Sequence, residues 1–224
     1  MLGLNKKLII ISNLRDSYPR IPAFSYFLAK NKWKVTIISP YMSRTELDGI
    51  GLPKDFLKFV NLHFTDNYFD IYEPIRKIYS RFKPIKSKRK SNSILPKESP
   101  IYKLIPSFFL KFLLKSYQSI FAFPDTEKKW LKIALPVIEK KIIENRNSII
   151  LSSSPYPISH VIAYKLILKY KFRWIADFRD PWSLNHNNNM FFVRKLIDKI
   201  YEKKIINLCN LIFVPSQGVK DKLE

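Results

Sequence analysis

Two runs of apolar, mostly β-branched residues open the chain, with a mixed segment between them. Lys7 to Asn13 (KLIIISN) and Val35 to Ser39 (VTIIS) lack the regular polar alternation of a half-exposed strand. Each is therefore predicted to be a strand covered by helices on both faces. Pro22 to Lys30 is predicted to be a helix. This order of elements is typical of the start of a doubly wound parallel sheet.

The same alternation returns after residue 124. The predicted elements are a helix over Thr126–Asn145, a strand over Ser148–Ser152, a helix over Pro157–Tyr170, a strand over Arg173–Asp177, a helix over Phe191–Asn207 and a strand over Leu211–Pro215. Asp125 or Thr126 suits the N-cap of the first helix, and Ser216 suits that of a last one. The predicted fold class is α/β, a single Rossmann-like domain over residues 1–224 with five parallel strands.

Residues 41–124 do not follow this alternation and are predicted to form a basic, partly helical insertion. Residues 76–97 carry nine basic residues and no acidic one. Residues 101–123 are rich in Phe, Leu and Ile, and a polar residue recurs there every four positions, at Lys103, Ser107, Lys111 and Lys115. This spacing places the four residues along one stripe of a helix.

An apolar helix with a lysine stripe beside a polybasic loop is typical of a segment that lies on a membrane surface. The residues predicted to contact an anionic leaflet are Arg76, Lys77, Arg81, Lys86, Lys88, Arg89, Lys90, Lys111 and Lys115. The alternative is a core helix whose lysines face solvent, next to a solvated basic loop.

Composition favours a polyanionic partner for a folded protein. The 40 Lys and Arg residues against 18 Asp and Glu give a formal net charge of +22, and 46% of residues are hydrophobic. Nucleic acid, phosphorylated substrates and anionic lipid all attract such a chain. Frequent Lys, Ile and Asn are also typical of an AT-rich coding sequence, which would explain part of the charge without any partner.

Several kinds of site and segment are absent from the sequence. The single cysteine, Cys209, excludes an internal disulfide and fits a reducing cytosol. The three histidines are far apart, so neither a metal nor another cofactor is expected. The chain has four glycines and no Walker, GxGxxG or GxSxG motif. No apolar run reaches the about 20 residues of a membrane span, and no secretory signal is visible.

Two segments place polar residues at the carboxyl ends of predicted strands, where open parallel sheets bind ligands. The first, SSSPYPISH, runs from Ser152 to His160 and forms either a hydroxyl-lined binding loop or an ordinary turn with a serine cap. The second begins at Asp177, the last residue of a predicted strand, and contains Arg179 and Asp180. The carboxylates of Asp177 and Asp180 and the arginine form either a structural ion pair or a base kept ionised by its neighbour.

The run IILSSSPYPISHVIAYKLILKYKFRWIADFRDPWS, residues 149–183, resembles a segment of the family 4 retaining glycosyltransferases of the GT-B fold. The resemblance extends to YPRIPAFSYFLAKNKWKVTIISP near the start, to PDTEKKW at 124–130 and to NLIFVPSQGVKDKL near the end. It covers most of residues 1–40 and 124–224. ADFRDPW at 176–182 is its most specific part.

This resemblance implies an enzyme whose N-terminal domain binds an acceptor while a C-terminal domain binds a nucleotide sugar. It implies that Asp180 is the catalytic cleft residue and that Arg179 and Asp177 contact substrate, with Ser154 and His160 on the acceptor side. The first loop departs from the family because it contains no glycine and instead carries Arg15 and Arg20, expected to contact substrate phosphate. We also expect the donor domain to be absent from residues 1–224, and this part alone to be inactive.

The predicted function is therefore sugar transfer from a nucleotide sugar to a lipid-linked or envelope-polysaccharide acceptor. The predicted location is cytoplasmic and peripheral, at the inner face of the plasma membrane. One alternative is a non-catalytic membrane-binding module, or a partner of a separate donor-domain chain. Nucleic-acid binding is a weaker alternative because no reading motif accompanies the positive charge.

Overall fold

A computed structural model describes residues 6–68, 112, 115–117, 119–180, 182–183 and 190–223. Its strands are β1 (Lys7–Ile11), β2 (Lys34–Ser39), β3 (Val60–Phe64), β4 (Ile149–Ser153), β5 (Arg173–Asp177) and β6 (Leu211–Phe213). Its labelled helices are α1 (Leu14–Ser17), α2 (Arg20–Lys30), α3 (Arg44–Gly49), α4 (Phe56–Phe59), α5 (Trp130–Glu144), α6 (Ile158–Ile167), α7 (Phe192–Leu208) and α8 (Gln217–Leu223). Residues 112, 115–117 and 119–121 are also helical.

The six strands form one parallel sheet in the order β3-β2-β1-β4-β5-β6. The chain first builds outward from β1 through β2 to β3. It then returns to the other side of β1 and adds β4. Ile10 of β1 pairs with Ile37 of β2 on one side and with Leu151 of β4 on the other. This reversal at β1 and β4 is the topological switch point of a doubly wound sheet. The predicted fold class is confirmed.

Alternate residues of β1 pack into two separate cores, one on each face of the sheet. This is why the sequence of β1 does not alternate between apolar and polar residues. Ile9 and Ile11 pack on one face with Trp130 of α5 and Ile162 of α6. On the other face, Ile10 packs in the cluster that includes residues of α2 and α4. A strand buried on both faces needs apolar residues at successive positions.

The prediction that the alternation of strands and helices stops at Tyr41 is wrong. Helices α3 and α4 lead into β3, so the regular pattern continues to Phe64, and the described part of the chain places six strands in the sheet rather than five. The predicted helix from Thr126 also begins later, at Trp130, because residues 126–129 form turns. The other strands and helices predicted before Tyr41 and after Asn145 are confirmed, with ends shifted by at most three residues. The helix predicted within residues 101–123 lies largely outside the described residues.

The central position of β4 gives a test of the fold. Ile150 of β4 is completely buried, whereas Ile143 on α5 is 51% exposed. Ile150→Ala should lower the free energy of unfolding by about 2–5 kcal/mol because it leaves a cavity in the core. Ile143→Ala, the control, should change it by less than about 0.5 kcal/mol. Urea unfolding measures both, and equal effects would contradict the burial of Ile150 in the core beside β4.

Candidate functional site

The carboxyl edge of the sheet at the switch point is organised around the carboxylate of Asp177, the last residue of β5. Its side chain is 2% exposed. Ser153 of β4 donates its hydroxyl to Oδ2 at 2.8 Å, and Arg20 of α2 donates Nη2 to Oδ1 at 2.6 Å. Burial raises the pKa of Asp177, while the Ser153 hydrogen bond and the Arg20 charge oppose the rise. One carboxylate thus joins the ends of β4 and β5 to helix α2, which follows β1.

The backbone after β5 is fixed to β4 by Ser154. The amide and the hydroxyl of Ser154 both donate to the Asp177 carbonyl, at 3.1 and 3.2 Å. The Ser154 hydroxyl in turn accepts the amide hydrogen of Arg179 at 2.7 Å. Ser154 is buried, so its predicted contact with an acceptor is replaced by a structural contact to this loop.

Arg179 brings two loops together across β4. Its side chain is part-buried and donates Nη1 to the backbone carbonyl of Asp16, in α1, at 2.6 Å. The next residue, Asp180, is exposed. The segment Arg179–Asp180 therefore lies at the surface of the carboxyl edge, above the switch point, where its carboxylate can reach a ligand.

A cavity of about 320 Å³ lies at the same edge of the sheet, beyond β1, β2 and β3. Its lining consists of Arg15, Pro40, Tyr41, Glu46, Asn67, Tyr68 and Glu127. Arg15 donates Nη2 to Glu46 at 3.0 Å, with both side chains 45% exposed. Aromatic rings beside carboxylates and an amide are groups that can hold a polar, ring-shaped ligand such as a sugar. Asp180 does not line this cavity.

The two arginines predicted to meet substrate phosphate both have carboxylate partners. Arg20 binds Asp177 and Arg15 binds Glu46. Arg15 remains at a cavity wall, whereas the charge of Arg20 is balanced by a buried acid. The loop after β1 is therefore less cationic toward a ligand than its sequence indicates.

Glu127 is a site residue that the sequence analysis missed. It belongs to the PDTEKKW segment and lines the cavity. Burial, with a contribution from the nearby Asp16 charge, raises the pKa of Glu127 to about 7. A carboxyl group with such a pKa can exchange a proton near neutral pH.

Asp125 of the same segment holds two turns together. Its Oδ1 accepts the amide hydrogen of Glu127 at 2.7 Å, and its Oδ2 accepts that of Ile158 at 2.6 Å. The second bond caps the start of α6, where the sequence indicates a serine cap instead. Burial raises the pKa of Asp125 to about 7 against these two hydrogen bonds.

The predicted place of His160 on the acceptor side is wrong. The side chain is 1% exposed, its Nδ1 lies 2.7 Å from the Ser152 hydroxyl, and its ring stacks on Phe178 at 4.4 Å. Burial lowers the pKa of His160 to about 3, so the ring stays neutral. The expected helix is present, but its first turn points this residue into the core.

Most of the predicted membrane-contacting residues, from Arg76 to Lys111, lie outside the described residues. Lys115 is described, and its ammonium group lies 5.0 Å from the centre of the Phe191 ring. Within the described part of the chain, no helix is long and apolar enough to cross a membrane. Those same residues form no cluster of three or more His, Cys, Asp or Glu side chains able to hold a metal ion.

The bond between Arg20 and Asp177 can be tested by removing the charge on the exposed partner. Arg20→Met should lower the free energy of unfolding at pH 7 by about 1–3 kcal/mol because it leaves a buried carboxylate with one donor fewer. Loss of Arg20 raises the folded-state pKa of Asp177 further. The destabilisation should therefore be largest at neutral pH and shrink as the pH falls through the folded-state pKa values of Asp177, which lie above the usual value of 3.8.

Arg44→Met, which removes an exposed arginine of α3, is the control. Urea unfolding at several pH values measures both variants. A penalty for Arg20→Met that is the same at pH 7 and in acid would show that charge on Asp177 is not involved.

Glu127 gives a second test through pH. Its folded pKa of about 7 exceeds the usual glutamate value of 4.5, so its ionisation destabilises the fold as pH rises between these values. Glu127→Gln should have little effect near pH 4 and should stabilise the protein by about 1–3 kcal/mol at pH 8. Thermal or urea unfolding measures this difference.

Asp48→Asn, at an exposed position of α3, is the matched loss of one carboxylate. A Glu127→Gln effect that does not grow with pH would mean that this side chain is solvated rather than buried.

Comparisons with known proteins leave the family open. Neither a scan against protein-family models, nor a search of curated proteins, nor a search of solved structures gives a match to this chain. The glycosyltransferase interpretation therefore depends on the sequence motifs and on the geometry of the carboxyl edge.

Proposed function

We propose that this chain is the acceptor-binding part of a retaining glycosyltransferase that works at the cytoplasmic surface of a membrane. The reaction transfers a sugar from a nucleotide sugar to a lipid-linked or envelope-polysaccharide acceptor. It breaks the bond between the anomeric carbon and the diphosphate and forms one to an acceptor oxygen, whose proton is released. The acceptor would bind at the carboxyl edge of β1, β4 and β5.

The observation that carries this proposal is the hydrogen bond from Arg179 to the Asp16 carbonyl. It draws the loop after β5 across β4 to the segment that follows β1, at the switch point where doubly wound sheets bind ligands. Asp180 is left exposed beside this bond. The most specific part of the family resemblance, ADFRDPW, is thus the segment that reaches the expected binding edge.

The residues at this edge have distinct roles in the proposal. Asp180 accepts hydrogen bonds from sugar hydroxyls and favours the positive charge that develops on the sugar during transfer. Asp177 and Ser154 are positioning residues, since each holds the loop after β5 and is buried. Glu127 and Arg15 offer further contacts from the cavity wall.

Acceptor binding tests the proposal without requiring a donor. The protein is titrated with a panel of water-soluble saccharides carried on farnesyl diphosphate, and binding is followed by calorimetry. Asp180→Asn should weaken binding by about 10–100-fold because a charged acceptor of hydrogen bonds becomes a neutral one.

Glu144→Gln is the matched control, because Glu144 lines a cavity at the opposite edge of the sheet, beside Lys34 and Asn61. Its affinity should equal that of the wild type. Equal affinity for Asp180→Asn and wild type, or no binding to any member of the panel, would overturn the proposal.

A further inference from the structure

Helix α7 turns its charged residues inward and its apolar residues outward. Arg194, Asp198 and Glu202 are 5%, 2% and 4% exposed. The large hydrophobic residues of the helix that face solvent are, in order along the chain, Phe192 at 80%, Val193 at 66%, Leu196 at 49%, Ile197 at 39%, Ile200 at 46% and Leu208 at 40% exposure. A helix on the surface of a water-soluble domain normally has the opposite arrangement.

The inward charges are fixed by bonds to neighbouring segments. Arg194 pairs with Asp198 at 2.9 Å and donates Nη2 to the Pro124 carbonyl at 2.7 Å. Glu202 accepts the amide hydrogen of Trp182 at 2.8 Å. Because buried charges need such partners, the helix cannot rotate to bury its apolar stripe without leaving them unpaired.

The outer face also carries only positive charge. Both acidic residues of α7 are buried, while its four lysines, at positions 195, 199, 203 and 204, are exposed. The five apolar residues from Phe192 to Ile200 recur at the spacing of one helical face, and the lysines flank and extend that stripe. An apolar stripe bordered by lysines matches a bilayer surface that contains anionic lipid.

A second helical segment, which adjoins the start of α7, also exposes apolar side chains. Ser119 accepts the amide hydrogen of Phe191 at 3.2 Å, and the rings of Phe112 and Phe191 lie 5.9 Å apart. Phe112, Ile120 and Phe121 are 48%, 67% and 50% exposed. The exposed apolar surface therefore belongs to two adjoining helical segments rather than to isolated side chains.

We infer that the outer face of α7, from Phe192 to Lys204, is a docking surface for a membrane containing anionic lipid. The apolar stripe enters the interface between headgroups and acyl chains, and the lysines contact lipid phosphates. This inference rests on the membrane-surface part of the proposed function and assigns it to a described helix. The same helix holds the loop after β5 through Glu202, so docking would place the acceptor edge close to the bilayer.

Two pairs of matched variants test the inference by co-sedimentation with vesicles of phosphatidylcholine and phosphatidylglycerol. The triple variant Lys195→Gln, Lys199→Gln, Lys203→Gln should bind roughly 100-fold more weakly than wild type, at roughly five-fold per lysine. Its control, Lys54→Gln, Lys58→Gln, Lys171→Gln, removes the same charge from exposed positions elsewhere and should bind like wild type.

The apolar stripe is tested in the same assay. Phe192→Ser with Val193→Ser should weaken binding by at least roughly 10-fold. The control is Phe27→Ser with Leu57→Ser, at residues that are 65% and 61% exposed on other helices, and it should have little effect. Circular dichroism confirms that each variant is folded, and the tested changes remove only exposed side chains.

Three results would overturn the inference. The wild type could fail to bind anionic vesicles, or each test variant could lose no more binding than its control. In a third outcome, sedimentation velocity without lipid shows a dimer that the α7 variants abolish, which would assign the face to a second copy of the chain. Acceptor binding in solution is measured without lipid, so failure here is distinguishable from failure of the proposed sugar-acceptor site.

Discussion

The carboxylate of Asp177 is the constraint on which the carboxyl edge depends. It is buried at the end of β5, where it accepts hydrogen bonds from Ser153 of β4 and Arg20 of α2. A buried carboxylate is costly unless several donors surround it, so these partners must stay in place as long as the group is ionised. The bonds from Ser154 then fix the direction of the chain toward Arg179 and Asp180.

Buried charged groups also have hydrogen-bonding partners in helix α7, on the other side of this loop. Its buried Glu202 accepts the amide hydrogen of Trp182, and its buried Arg194 reaches the Pro124 carbonyl. The polar face of the helix is thus used to hold the two segments, ADFRDPW and PDTEKKW, that carry the family resemblance. Turning charge inward leaves the apolar face outward, which links the proposed sugar site to the proposed membrane surface.

Sequence patterns predicted the central strands because a strand buried on both faces needs a continuous apolar run. The edge strand β3 (VNLHF) was missed because its exposed positions hold the polar residues Asn61 and His63, so it has no continuous apolar run. The helix containing His160 was predicted, but seven of its ten residues are buried. The sequence pattern therefore could not show whether the histidine points into the core or toward solvent. Arg20 and Asp177 are 157 residues apart, and no local pattern predicts such a pair.

Hydrogen–deuterium exchange on the intact chain, with and without the farnesyl-diphosphate saccharides, tests the central claim most directly. The claim is that a sugar acceptor binds where the loops after β1, β4 and β5 meet. Exchange should slow in residues 12–16, 153–156 and 178–180 and stay unchanged at the amino edge around Lys34 and Asn61. Slower exchange at the amino edge alone, or no change in these three loops at saturating ligand, would contradict the account.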